Sequence, residues 1–158
     1  MRISAMLGAM ALVVGLVSTA TINGQESAPQ GVEGYVWDGA CKECHEAIHE
    51  SWNATKHATA INRLSADERK GTQCIGCHVT GPKEAVMVDS KMVNANVQCE
   101  SCHGIGKAHV EAAKAGNAAS ARLTKRPAAA LCQTCHNDKS PHYKGFYYNA
   151  LVGLVHKK

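Results

Sequence analysis

The chain has 158 residues, 45% of them hydrophobic but only 4% aromatic. That length gives one small domain with little bulky material for an apolar core. Its 17 basic and 13 acidic residues leave a formal charge of +4. So slight a basic balance gives nucleic-acid binding no support, and the lysines read as solvated surface or as partners of bound anions. Eight cysteines and nine histidines are many for this length and turn attention to metal and redox chemistry.

In chain order, Met1-Arg2, the apolar run Ala5 to Val17 and the small residues Ser18-Thr19-Ala20 read as a signal peptide over 1–20, cleaved after Ala20. The predicted location is the periplasm or the extracellular space. The apolar run is shorter than the roughly 20 residues of a membrane-spanning helix, and no second run matches it, so no stable membrane insertion is expected after cleavage. Residues 21–34 are polar and rich in Gly, Ser and Gln, and read as a flexible leader to a domain over 35–158.

From Lys42 to Leu64 no Pro or Gly intervenes, and one long helix is expected. Ser65 to Glu68 has the pattern of a capping box, with a short helix stopping at Gly71. Gly81-Pro82 closes a loop, and the apolar, partly β-branched stretch Glu84 to Val97 carries a weak hairpin signal. Lys107 to Ala121 is alanine-rich and helical in tendency, interrupted at Gly116. Pro127 suits the first turn of another helix. Tyr147, Leu151, Leu154 and Val155 fall at helical spacing in a last helix over Phe146 to Lys158.

All eight cysteines lie in four copies of Cys-x-x-Cys-His: Cys41/Cys44/His45, Cys74/Cys77/His78, Cys99/Cys102/His103 and Cys132/Cys135/His136. With histidine at 9 of 158 residues, four cysteine pairs would all be followed by His by chance roughly once in 100,000. Zinc binding explains paired cysteines but not the adjoining His each time. A disulfide framework requires neither the His nor the close pairing. Cys-x-x-Cys-His is the attachment signature of c-type haem, in which both thiols form thioethers and the imidazole binds iron from one face. Four c-type haems are therefore the expected cofactors, and as they pack on one another they would fill the interior. Their propionates would turn the mildly basic chain into a slightly acidic holoprotein.

Five histidines lie outside the motifs: His49, His57, His109, His142 and His156. Along a continuous helix His57 would stand about 18 Å beyond His45, too far to meet the same iron, so it serves another haem or none. His49, one turn after His45 on the same side, cannot reach the opposite face of that haem and reads as solvent-facing or as a propionate donor. His109 follows His103 too closely to bind the same iron and would serve another motif. His156 at the end of an apolar segment and His142 in the Ser-Pro turn are further candidates for an axial position.

The stretches "CKECHEAIHESWNATKHATA", "CIGCHVTG", "VQCESCHGIGKAH" and "SPHYKGFYYNALVGLVH" together resemble the tetrahaem cytochrome c-554 family of electron carriers. The resemblance runs from about Tyr35 to His156, with Ile105 where the family usually has proline. It implies a mainly α fold with long loops, a small multihaem cytochrome c fold organised around four packed haems. It also implies that His57 binds iron opposite His136, His109 opposite His45 and His156 opposite His103, with the first and third haems stacked and likewise the second and fourth. The haem on His78 is five-coordinate in the family's best-known member.

The expected function is electron transfer with redox partner proteins, with no catalytic residue assigned. Two alternatives compete with it. A five-coordinate haem on His78 could reduce a small ligand such as nitric oxide, or the chain could be a homo-oligomer or a subunit of a conducting filament, with a spare histidine such as His49 or His142 binding a neighbour's haem.

Overall fold

Short helical turns separated by long loops carry the motif cysteines. The computed structural model describes residues 31–157. The segment read as a signal peptide and most of the leader lie outside the described residues. The described end of that leader is packed: Val32 is buried, the Tyr35 N–H donates to its carbonyl, and the Lys107 N–H donates to the Gly34 carbonyl.

The helices are α1 (Trp37–Lys42), α2 (Glu46–Asn53), α3 (Thr72–Ile75), α4 (Cys99–His103), α5 (Lys107–Lys114), α6 (Ala129–Cys132) and α7 (Tyr148–Leu151). Tight 3₁₀ turns cover His57–Arg63, Glu68–Lys70, Ala118–Ser120 and Val152–Leu154. The only strands among the described residues are β1 (Met87–Val88) and β2 (Lys91–Met92), an antiparallel hairpin in which Met87 faces Met92. Asp89 and Ser90 between them both have positive φ, the backbone a two-residue hairpin turn requires.

The single helix expected over 42–64 is broken twice. His45 leaves helical geometry at φ −121°, ψ 43°, so the first motif straddles the join of α1 and α2. The second break follows Asn53, where Thr55, a β-branched residue of weak helix propensity, turns its N–H back to the Trp52 carbonyl. Beyond it, the His57 carbonyl accepts from Val97 N–H and the Ile61 N–H donates to Asn96 Oδ1. These tertiary bonds take backbone groups that a continuous helix would have paired internally.

The C-terminal helix is likewise reduced to α7 and one 3₁₀ turn. Val152, Gly153 and Val155 all weaken its last turns, and Tyr147 and Leu154 stay exposed. Pro127 precedes the Ala128 N-cap of α6 instead of entering its first turn. Other expectations are met. Ser65 and Glu68 form a reciprocal capping box, Gly71 ends the following turn, and Gly116 stops the α5 segment with φ +76°.

The apolar core is small, comprising Ile61, Leu64, Ile75 and Val79, with Met92 and Ala95 packed against it. Buried polar side chains do much of the joining. Asn94 is fully buried; its Oδ1 accepts from Val86 N–H at 3.0 Å and its Nδ2 donates to the Pro82 and Glu84 carbonyls at 2.9 and 2.8 Å. Gln98 donates to the Val93 and Ala95 carbonyls and accepts from Asp38 N–H, while Thr80 Oγ1 accepts from Gln98 N–H. Removing such a side chain strands partners away from water. Asn94→Leu is therefore expected to lower the unfolding free energy by about 3 kcal/mol, read by guanidinium denaturation of haem-loaded protein. An unchanged midpoint would show that this network does not hold the loop.

Candidate haem centres

The third motif is one helical turn, and the other three begin at the end of a helix and run into the turn after it, which in each case brings the first cysteine, second cysteine and histidine, at i, i+3 and i+4, round to one side. The turn is closed by its own backbone: the His45 N–H donates to the Cys41 carbonyl and the His136 N–H to the Cys132 carbonyl, both at 2.9 Å. All eight cysteines are unpaired with one another as disulfides, and seven of them are half-buried.

Cys44 is the exception: it is exposed. The reason is local. α1 ends at Lys42, so Cys44 falls in the turn between α1 and α2, after the helix has stopped and just before His45 leaves helical geometry. Its N–H still reaches the Cys41 carbonyl at 3.3 Å, which keeps the i, i+3 spacing of the two first-motif sulfurs. Cys44 therefore retains the position for a thioether, but at the solvent edge of the first site.

The motif thiols also approach across the chain. Cys41 and Cys99 act on each other as free thiols, each the first cause of the other's shift, with Cys41 pushed up and Cys99 held down. Burial, then the neighbouring Cys135, pushes Cys77 up to about 11. Burial, then Cys132, does the same for Cys102, also to about 11. The first motif thus lies beside the third, the third beside the fourth, and the fourth beside the second.

The histidines outside the motifs come from distant parts of the chain to face motif histidines. The His45 and His109 rings have centroids 6.3 Å apart and planes within 11°. His57 and His136 stand at 6.0 Å and 61°, and His103 and His156 at 6.0 Å and 32°. An imidazole nitrogen lies about 2.0 Å from a coordinated first-row metal and roughly 1.1 Å from its own ring centroid, so two rings on opposite sides of one ion have centroids roughly 6.2 Å apart. The observed separations fit an iron between each pair, and the residues present fit haem.

Second contacts orient these rings. His78 Nδ1 lies 2.6 Å from the Ala60 carbonyl, His103 Nδ1 bonds the Thr124 carbonyl, and His109 Nδ1 is 3.1 Å from the Ala121 carbonyl. A proton held on Nδ1 by a carbonyl leaves the Nε2 lone pair for metal. Burial, then the neighbouring His136, holds His57 below the ordinary histidine range and so keeps it neutral, the form that binds metal. Phe146 stacks on His136 at 5.0 Å. None of these partners has a sequence signature, because a backbone carbonyl acts through its position alone.

His49 is neither solvent-facing nor paired with a motif histidine. Its Nε2 lies 2.9 Å from Asp38 Oδ2, its side chain is 13% exposed, and its ring leans on Trp52 at 5.2 Å. Among the described residues no histidine ring faces His78 as the three pairs do. His142 is exposed in the loop after the fourth motif. The Ser65 backbone N–H and then its hydroxyl hold Glu68 below the usual carboxylate range, and His142 and His78 act on it in the same direction, so both stand near this one exposed carboxylate. From sequence alone Glu68 is legible only as a helix cap.

Helical-turn attachment motifs arranged in adjacent pairs define a multihaem c-type cytochrome. Residues 40–104 match the family described as cytochrome c554 and c-prime, and residues 91–141 match the doubled CXXCH motif. Cytochrome c-554 of Nitrosomonas europaea is 34% identical over 86 residues, covering 42% of this chain and 37% of that protein. The chain thus matches little more than a third of the length of this curated relative. The solved reduced state of cytochrome c554 from Nitrosomonas europaea aligns with a TM-score of 0.47 and 23% identity over 78% of each chain. The resemblance to the cytochrome c-554 family read from the motifs is accordingly found again by the family match and by the relative's sequence. Four c-type haems are the chain's cofactors. Mass spectrometry under denaturing conditions is expected to show four haem additions and no free thiol; fewer additions, or retained zinc, would refute this.

Proposed function

We propose that this protein is an electron carrier of the periplasm or the extracellular space, relaying electrons through its four haems to and from redox partner proteins. The observation that carries this reading is the set of three facing histidine pairs, His45/His109, His57/His136 and His103/His156, at the separation of two axial ligands of one iron. Iron held by two imidazoles has no position open to substrate, which suits electron transfer over ligand chemistry. When bound, haem supplies a one-electron ferric/ferrous couple. The chain's own part is to fix the imidazoles through carbonyl and stacking contacts and to bring the motifs side by side. The signal-peptide pattern over 1–20 and the covalent attachment motifs support export. Among the described residues no helix is long and apolar enough to cross a membrane.

His57→Ala, His109→Ala and His156→Ala are each expected to convert one low-spin iron to a ligand-accessible form with the haem count unchanged. His49→Ala should leave all spin states as they were, because His49 bonds Asp38. Electronic and electron paramagnetic resonance spectra decide this, and a low-spin His57→Ala protein would overturn the pairing with His136.

A second reading is favoured by the surroundings of His78. Its ring faces no other histidine among the described residues, whereas the other three motif histidines each face one. On this reading the haem on His78 is five-coordinate and binds small ligands. Carbon monoxide added to the reduced protein should bind one haem of four, and His142→Ala should change nothing. No binding in the wild type, with binding after His142→Ala, would instead make His142 the sixth ligand and remove this reading.

A further inference from the structure

Glu100 occupies the second position of the third motif, between Cys99 and Cys102, yet only 5% of its surface is exposed. Its Oε1 accepts from Gly106 N–H at 2.8 Å and Val36 N–H at 3.1 Å, and its Oε2 accepts from Trp37 N–H at 2.9 Å and Val36 N–H at 3.2 Å. Every one of these partners is a donor. A protonated acid would have to turn one oxygen into a donor with no acceptor to receive it, so the site is built for the carboxylate. No lysine or arginine is among these partners, so the negative charge is held by backbone dipoles alone.

This charge sits where the first and third motifs meet. Trp37, held by Glu100, opens the helix that carries Cys41, and its carbonyl accepts from Cys41 Sγ at 3.5 Å. Asp38, the next residue, adds a second carboxylate one helical turn before Cys41. Its N–H donates to Gln98 Oε1 at 3.0 Å, and its own oxygen bonds His49. Both carboxylates act on the Cys41 and Cys99 thiols. The second motif has the opposite setting. The Lys83 side chain lies over Gly76, inside the second motif, close enough that a Cβ there would stand 3.1 Å from it.

We propose that Glu100, with Asp38 beside it, sets the redox balance of the first and third haems: their fixed negative charge stabilises the ferric state of that pair and lowers its potentials, leaving the second and fourth haems unaffected. The physical basis is Coulombic. Reduction removes one positive charge from an iron centre, and a nearby uncompensated carboxylate in a poorly solvated site makes that loss less favourable. Glu100 acts through the iron's environment without touching iron, so it is a positioning residue for electron transfer. The proposal rests on the reading of the four motifs as electron-transfer haems. The same samples therefore have haem number and spin state measured first, and a failure of that reading would show there independently.

The test is spectroelectrochemical titration of the haem-loaded wild type, Glu100→Gln and Glu100→Asp, with the first and third haems identified by the signals lost in His109→Ala and His156→Ala. Glu100→Gln should raise two of four midpoints, those of the first and third haems, by about a tenfold change in the ferric-to-ferrous ratio at fixed potential, about 59 mV for a one-electron couple. Glu100→Asp keeps the charge and should leave the potentials near wild type even where it lowers stability, which a purely structural role for Glu100 would not produce. Unmoved midpoints, an equal shift of all four, or a shift confined to the second and fourth would overturn the proposal. Should Glu100→Gln fail to mature, Asp38→Asn decides: a smaller rise in the same two midpoints supports it, and no rise refutes it.

Discussion

The Glu100 carboxylate is the contact on which the arrangement of the motifs depends. Val36, Trp37 and Gly106 all give it their backbone N–H groups, so one side chain from the first turn of α4 ties the start of α1 to the start of α5. It also holds Trp37 at φ +62°, a left-handed conformation that a bulky residue adopts only when its surroundings impose it. Gly106 is required at the same place: a Cβ there would stand 2.8 Å from Val36 and 3.1 Å from Glu100. A buried carboxylate with its donors removed would be costly, and so the loop 104–106 and the segment 35–37 are held together as one unit.

Such polar joints take the place of a large apolar core. Four aliphatic residues form the main cluster, while Thr80, Asn94, Gln98 and Glu100 are the buried polar set, and each of these bonds to backbone from another part of the chain. The segment 94–100 is the common partner. Through it the 3₁₀ turn at His57–Arg63, the loop closed by Pro82, and α1 are all positioned against the third motif. Directional bonds of this kind specify one geometry where a thin hydrophobic layer would tolerate several.

The attachment motifs were legible in the sequence because Cys-x-x-Cys-His is a local pattern whose geometry follows from a single helical turn. The exposure of Cys44 was not, since it depends on where α1 stops, and the composition around it favours a helix that continues. The capping box at Ser65 and the stop at Gly116 were legible as local patterns too. The 42–64 segment was misread as one helix because the groups that break it, Asn96 and the Val97 N–H, lie more than thirty residues away. The role of Glu100 was hidden for a similar reason: as the second residue of a motif it looks like a solvated filler, and only the fold brings Val36 and Trp37 onto it. His49 shows the converse, since its position one turn after His45 correctly removed it from the facing pairs but could not reveal Asp38.

The facing histidine pairs couple ligand geometry to the fold as a whole. His45, His57 and His103 belong to the first and central parts of the chain, and their partners His109, His136 and His156 all lie later, so each iron bound between two rings would close a long loop. Metal ligation that closes long loops is folding free energy, because the unfolded chain holds no such site. A small apolar core is then sufficient, since the bound groups would supply both the missing interior and the cross-links. The same arrangement separates two tasks. The backbone carbonyls of Ala60, Thr124 and Ala121 set the orientation of the rings, whereas charges such as Glu100 can set the energy of the electron they help to hold.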